Sequence, residues 1–366
     1  HQNPYDECLA RSVSTENGLL LKDCYSYIYS PAFLPLLEPL RMLNPANFRR
    51  LWQYSSLLAI WLGVLLLMQR LQGIRKTVLL ALLVLLLSIG GPVISTLRWG
   101  QVSGFLFLGL CISISRDMKG VISGLALSPL PITKIGMALP LIALRGKKAW
   151  AGLVFALILL GGVSFLLYDG GIWKNFIEVL GSSAKGWSMS IPGNRSLFSA
   201  VSRLIDLSSY DRIDLISLDR AARLVFSEHK AALIRKIGVG ISFSYLIVCL
   251  SIVTKRFRRR PVIDAVSVSV WCAWISIALV PMVYDHYALF MLPLIVEVFR
   301  RGKTRYSVLM IFGFAWWTLA PMAPVAELSN ALWIFYEALR PLIVLILGIL
   351  MLKVILPNNN LPSTEQ

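Results

Sequence analysis

The chain has 366 residues, of which 57% are hydrophobic and only 15% are charged, whereas soluble domains carry about 25% charged residues. Apolar runs long enough to cross a hydrocarbon layer of about 30 Å recur along the sequence, and this excludes a soluble enzyme. The formal charge of +17 comes largely from Lys and Arg in short loops beside these runs. Basic loops beside apolar runs are typical of the cytoplasmic loops of membrane proteins, so nucleic acid is not expected as a partner.

The first part of the chain, residues 1–50, is polar and then amphipathic. Its second half carries regularly spaced prolines at Pro31, Pro35, Pro39 and Pro45, which forbid one long spanning helix. Short helices lying in the membrane interface fit this composition better. We expect them to anchor this segment to the outer face of the membrane, to form a lid or shelf there, or both.

The rest of the sequence predicts an all-α polytopic membrane protein. Transmembrane helices occupy 51–168 and 237–356, separated by an outer loop over 169–236 and followed by a disordered tail over 357–366. The predicted spans lie at about 51–69, 77–97, 102–115, 149–168, 237–254, 263–284, 287–299, 306–321 and 341–356.

Basic residues concentrate in alternate loops, and these are predicted to face the cytoplasm. They are 70–76, 116–119, 145–148, 255–260 and 300–305. The turns at 98–101 and 285–286 carry little basic charge and are predicted to face outward.

The segment 121–144 conflicts with a simple span, because both of its flanks are basic. Pro129 and Pro131 break a helix near its middle, so a re-entrant or broken hairpin that enters and leaves from the cytoplasm resolves the conflict. Lys134 would lie near its tip. A lysine at the bilayer centre costs about 2.5–3.5 kcal/mol, so this side chain either contacts a phosphate or other anion, or has a structural role.

Two outward turns carry further polar residues. In Asp285-His286-Tyr287 the carboxylate can orient the imidazole and tune its basicity, so His286 can donate a hydrogen bond to a phosphate or sugar hydroxyl. Gln101 belongs to the other turn. Ordinary interfacial turns remain the alternative for both. No metal-ligand cluster, P-loop or dinucleotide fingerprint is present, so neither a metal nor a cofactor is expected.

Several short motifs follow one another over most of the chain. They are Asn3-Pro4-Tyr5-Asp6, Tyr27-Ile28-Tyr29-Ser30-Pro31-Ala32-Phe33, Gly100-Gln101-Val102, Gly124-Leu125-Ala126 with Lys134, Asn194-Arg195-Ser196-Leu197, and Asp285-His286-Tyr287 with Leu292-Pro293. In this order they resemble glycosyltransferase family 87, the polyprenol-phosphate-mannose-dependent mannosyltransferases of the GT-C superfamily.

The resemblance implies a helical bundle in the plasma or inner membrane with an outward-facing active site. It implies transfer of a sugar, mannose in the first instance, from a polyprenyl-phosphate donor to a glycolipid or glycan hydroxyl, with inversion. Lys134 and His286 would bind the donor phosphate, and the substrate groove would include Tyr29, Gln101 and Asn194, with Asp285 and Tyr287 beside them.

The same resemblance implies a carboxylate base shortly after a first transmembrane helix. Both are expected upstream of His1, so no catalytic residue is assigned within the sequence. Two other function classes stay open at this point. Broken helices with an intramembrane cation also suit a lipid or solute transporter or flippase, and the arginines of the 169–236 loop suit an outer-face polysaccharide ligase or polymerase.

Overall fold

The computed structural model of the chain describes residues 29–98, 100–185, 195–205, 228–257, 264–280, 285–319 and 330–355. This described part consists of α-helices and short 3₁₀ turns and has no named β-strand. In chain order the helices are α1 (Pro45–Met68), α2 (Gly73–Ile89), α3 (Gly91–Arg98), α4 (Ser103–Ser115), α5 (Gly120–Leu127), α6 (Pro129–Thr133), α7 (Lys147–Leu167), α8 (Gly170–Lys185), α9 (Leu197–Ile205), α10 (Glu228–Phe257), α11 (Ala265–Leu279), α12 (Leu292–Arg300), α13 (Thr304–Leu319) and α14 (Asn330–Ile355). The predicted all-α polytopic class is confirmed.

Three of these helices are long and apolar enough to cross a membrane. They are α1, α7 and the Ala232–Ile252 part of α10, and the bent pair α2–α3 counts as a fourth if it forms one span. Shorter apolar helices, including α4 and α11, pack among them. The chain is therefore a multi-pass membrane protein.

The span predicted over 77–97 corresponds to the bent pair α2–α3. The two helices meet at an angle of 49°, and the backbone of Gly90 between them is extended. Pro92 has no backbone N–H, so it sits in the first turn of α3, where that donor is not needed, instead of in the middle of a longer helix. The bend turns α3 toward the 3₁₀ turn Asp285–Met291, against which it packs.

The segment before α1 forms two short 3₁₀ turns, Pro31–Leu36 and Glu38–Leu40. Ala32 and Phe33 are buried, and the first turn packs against α7. Asn44 then caps α1, accepting a hydrogen bond from the Asn47 amide at 2.8 Å. The helix consequently begins slightly before the predicted boundary at residue 51.

The segment 121–144 leaves the bundle wall and returns to the same end. It comprises α5, α6 and two 3₁₀ turns, and its backbone departs from helical geometry at Lys134 (φ −143°, ψ 73°). Beyond the segment, the Arg145 amide donates to the Met118 carbonyl at 2.9 Å, and Lys119 and Arg145 form a bridge. Lys134 thus lies near the far end of a hairpin whose two ends are joined.

The basic loops gather at one end of the bundle, which we call the basic end (70–76, 116–119, 145–148 and 300–305). Arg70 donates to the Ile114 carbonyl at 2.9 Å and lies 3.4 Å from Asp117, and Arg75 lies against Gly302. Helix α4 runs from this end to Gln101, so the two lie about 20 Å apart at 1.5 Å per residue. We call the opposite end, around Gln101, the site end.

The centre of the bundle is formed by α11 and the stretch 285–298, whose residues are almost all buried. The indole nitrogens of Trp271 and Trp274 donate to backbone carbonyls of α14, each at 2.8 Å. These bonds satisfy the polar tips of two large apolar side chains and tie α11 to α14. The turn that starts at Asp285 is therefore held in the interior of the molecule.

Candidate functional site

Five side chains meet around the tip of the hairpin, and we call them the Lys134 cluster. Lys134 Nζ lies 3.1 Å from His286 Nε2 and 3.4 Å from Gln101 Oε1. It also lies 4.0 Å from the centroid of the Tyr287 ring. The Tyr29 hydroxyl donates to the same Gln101 oxygen at 3.0 Å. Segments that are far apart in the sequence thus converge on one amino group.

The surroundings of Lys134 suit a positively charged ammonium. Such a group has three donors and no acceptor, and it here meets an amide oxygen, an imidazole nitrogen and the face of an aromatic ring. Aromatic faces attract cations electrostatically. These contacts offset part of the cost of placing a lysine inside an apolar bundle, and among the described residues no carboxylate is seen to touch Nζ.

His286 is oriented by hydrogen bonds at both ring nitrogens. Its Nδ1 lies 3.4 Å from Ser95 Oγ on α3, while Nε2 faces Lys134. Because an ammonium only donates, Nε2 accepts, and we assign the ring proton to Nδ1, where it points to Ser95. His286 is consequently a neutral acceptor for Lys134 in this structure.

Behind His286 lies a buried ion pair between Arg195 and Asp285. The two residues are 2% and 9% exposed, so neither charge is solvated. The Arg195 guanidinium also donates to the Trp317 carbonyl in the last turn of α13. Gly91, the first residue of α3, abuts the carboxylate, and a Cβ there would lie 2.8 Å from Asp285 Oδ2. The cation therefore sits at the negative end of one helix and the anion at the positive end of another.

Exposure differs across the cluster. Tyr29, Gln101 and Lys134 are partly exposed, whereas His286 and Tyr287 are buried. Burial raises the pKa of Tyr29 to about 12, against a smaller lowering by a hydrogen bond to the Val102 backbone. The Tyr29 phenol therefore stays protonated at ordinary pH and acts as a donor. The accessible side of the cluster presents an ammonium, an amide and a phenol.

The structure brings together most of the residues selected from the sequence. Five of them form the Lys134 cluster, and Asp285 is held by Arg195 directly beside it. Asn194 lies outside the described residues. Arg195, Ser95 and Gly91 were not selected. Arg195 had a signal, since it stands in the Asn-Arg-Ser-Leu motif before an apolar segment, whereas nothing in the local pattern distinguished Ser95.

The side chains of the described residues do not gather into a candidate metal site. Within the described ranges, no group of three or more His, Cys, Asp or Glu side chains could hold a metal ion. The three described cysteines, Cys111, Cys249 and Cys272, are free and buried. They pack in the apolar interior.

A bundle of membrane-crossing helices with a lysine–histidine cluster at one end defines a multi-pass membrane protein with a candidate anion site. The family model "Glycosyltransferase family 87" matches residues 27–281, which is more than half of the chain. The chain belongs to glycosyltransferase family 87 and is a glycosyltransferase. The matched range includes Gln101, Lys134 and Arg195 and ends before His286. Searches of curated proteins and of solved structures gave no significant match.

Proposed function

We propose that this glycosyltransferase moves a sugar, in the first instance mannose, from a polyprenyl-phosphate donor to a hydroxyl of a glycolipid or glycan acceptor. The observation that carries the proposal is the partly exposed Lys134 ammonium, which is backed by His286 and Tyr287 inside a membrane bundle. A lipid-linked phosphate presents its charge near the bilayer surface. A fixed cation at one end of the bundle is well suited to bind it.

The proposed reaction is an inverting displacement. The bond from the anomeric carbon to the phosphate oxygen breaks, and its electron pair stays on the phosphate. The acceptor oxygen bonds to the opposite face of that carbon and loses its proton to a carboxylate base. Negative charge grows on the phosphate in the transition state, and Lys134 stabilises it more than it stabilises the ground state.

The other residues of the cluster have distinct roles in this proposal. Gln101 and Tyr29 hold the ammonium on its accessible side and contact the donor headgroup. His286 Nε2 faces Lys134, so its main role is to orient the amine, and it contacts the phosphate once Lys134 has turned toward it. Asp285 is not assigned as the base, because its carboxylate is ion-paired with Arg195.

The location of the cluster supports transfer on the outer face. The Lys134 cluster lies at the site end, and the basic loops lie at the other end of α4. Basic loops favour the cytoplasmic side of a membrane. The 3₁₀ turns over 31–40, the first of which packs against α7 and against α6 of the hairpin, would then form the shelf on which the lipid chain of the donor lies.

The test uses the full-length protein, reconstituted in lipid with radiolabelled polyprenyl-phosphate mannose and a mixed glycolipid acceptor pool. Lys134→Ala and His286→Ala are compared with wild type, and Lys147→Ala at the basic end is the matched control. We expect Lys134→Ala to lower kcat/KM by about 10²–10³-fold, as for loss of a group that stabilises a developing oxyanion. The control should transfer label at the wild-type rate.

Each outcome of this experiment tests a different part of the proposal. Transfer from another polyprenyl-phosphate sugar, but not from mannose, would correct the sugar while keeping the donor class. Transfer that is unaffected by Lys134→Ala would remove the phosphate-binding role of the cluster. Transfer from a nucleotide sugar alone would overturn the lipid donor.

A further inference from the structure

The Arg195–Asp285 pair lies beside the Lys134 cluster and has no part in the reaction as proposed. Asp285 precedes His286 in the chain, and both belong to the same 3₁₀ turn. His286 is the residue whose Nε2 lies 3.1 Å from Lys134 Nζ, so Asp285 is the chain neighbour of a Lys134 contact, and in an interior of low effective dielectric an uncompensated carboxylate there would attract the ammonium. The structure places Arg195 against that carboxylate instead.

We infer that Arg195 is a positioning residue for the donor site: by pairing with Asp285 it prevents this carboxylate from compensating Lys134. The positive charge of Lys134 thus stays available for a lipid-linked phosphate. The inference rests on the proposed function, because it explains how the same site keeps its charge for an anionic ligand.

The net charge of the four residues at this site supports the inference. Arg195 and Asp285 cancel, and His286 is a neutral acceptor as assigned above, so these three residues together with Lys134 carry one net positive charge. A phosphodiester carries one negative charge. Without Arg195 the same residues would be neutral overall, and Lys134 would turn to Asp285 or share its proton through His286.

The geometry around the pair shows that Asp285 is held in place on two sides. Gly91 leaves room for the carboxylate at the N-terminus of α3, and Ser95, one turn later on the same helix, contacts His286. Arg195 is anchored by the Trp317 carbonyl. One short helix therefore positions both the carboxylate and the imidazole, and Arg195 holds the carboxylate against it.

The experiment measures binding of farnesyl phosphate to the full-length protein in lipid nanodiscs. We expect Arg195→Gln to weaken binding about ten-fold or more, because Asp285 without the Arg195 counter-charge competes with the phosphate for Lys134. In Arg195→Gln/Asp285→Asn the carboxylate is gone, and binding should return to within about three-fold of wild type. Arg301→Gln is the control, since it removes one of the two arginines paired with the buried Glu297 at the basic end.

A second measurement does not depend on the donor. The chain has three histidines, His1, His229 and His286, so ¹⁵N-histidine NMR resolves few signals, and His286→Asn identifies the relevant one. Wild type should show the Nδ1–H tautomer at His286. Arg195→Gln should shift this signal toward imidazolium, and the double variant should restore it.

Each result has a defined consequence. The single variant Asp285→Asn should still bind farnesyl phosphate, and this measurement can be made even if Arg195→Gln fails to fold. A double variant that binds farnesyl phosphate no better than Arg195→Gln overturns the inference. An Asp285→Asn variant that binds normally but transfers no sugar also overturns it, since Asp285 would then take part in the chemistry. If wild type binds no farnesyl phosphate while the NMR signal responds as expected, the proposed donor is wrong and the electrostatic coupling stands.

Discussion

Gln101 receives two hydrogen bonds on one oxygen, from Tyr29 and from Lys134. A neutral amide can accept both without cancelling the ammonium charge. The amide therefore holds Lys134 without compensating its positive charge, which a carboxylate of the same shape would do.

The variant Gln101→Glu tests this point directly. A carboxylate in place of the amide would neutralise Lys134, so we expect donor-analogue binding to fall by about ten-fold or more, while Gln101→Met should cost less. Isothermal titration in nanodiscs measures the difference. Gln53→Glu is the control, because Gln53 donates to the Leu97 carbonyl nearby and does not touch Lys134. Equal losses in Gln101→Glu and Gln101→Met would contradict the electrostatic explanation.

Tyr29 supplies a hydrogen bond and no charge, because its pKa of about 12 keeps it protonated. Tyr29→Phe removes one bond to Gln101, which corresponds to about 0.5–1.5 kcal/mol. We expect kcat/KM to fall by no more than about ten-fold. The pH–rate profile from about pH 6 to about pH 9 should keep its shape. A changed profile would show that Tyr29 ionises during turnover.

At the scale of elements, α5 and α7 approach each other closely through glycines. A Cβ at Gly124 would collide with the Ala149 carbonyl, and one at Gly152 with the Val121 carbonyl. Small residues let helix backbones come this near inside membranes, where packing replaces the hydrophobic effect as the driving force. The hairpin that carries Lys134 is therefore held against α7 by backbone contact.

Adding a single methyl group at this contact should destabilise the bundle. Gly152→Ala forces α5 and α7 apart, and overpacking of this kind costs about 1–3 kcal/mol. Thermal unfolding in detergent should show a Tm below that of wild type. Gly161→Ala lies on the same helix with nothing within 4 Å of its Cβ, and its Tm should match or exceed the wild-type value. A Gly152→Ala protein as stable as Gly161→Ala would refute the close packing.

At the scale of the whole molecule, α7 connects the two ends. It has 21 residues, or about 31 Å at 1.5 Å per residue, which matches the hydrocarbon thickness. Lys148 lies in its first turn at the basic end, and Asp169 follows its last turn at the site end; both are exposed. Labelling at the two ends of α7 can therefore show which end of the bundle faces outward.

Cysteines placed at these two positions report the orientation. In a background without the natural cysteines, we expect Asp169→Cys to react with a membrane-impermeant maleimide in intact cells. Lys148→Cys should react only after the membrane is permeabilised, because basic loops stay on the cytoplasmic side. The reverse labelling pattern would place the Lys134 cluster inside and rule out transfer on the outer face.

Much of the architecture was predictable because hydropathy and charge belong to individual segments. The long apolar runs predicted the all-α membrane class, which the structure confirms. Pro129 and Pro131 predicted a break near the middle of 121–144. The structure keeps helical backbone at Ser128 and departs from it at Lys134, and the two ends of the segment are joined. The bend at Gly90 was missed, since an apolar run that contains Gly-Gly-Pro has the same mean hydropathy as an unbroken span.

The residues of the candidate site likewise include some that the sequence predicted and some that only the tertiary structure identified. Residue chemistry alone selected Lys134 and His286, because a lysine inside an apolar segment and a histidine beside an aspartate are unusual enough to need an explanation. Only the tertiary structure showed that Asp285 is neutralised by Arg195 and that Ser95 orients His286. Such partners come from segments far apart in the chain, and the energy of an ion pair depends on the distance between its charges and on their burial. A sequence pattern contains neither quantity.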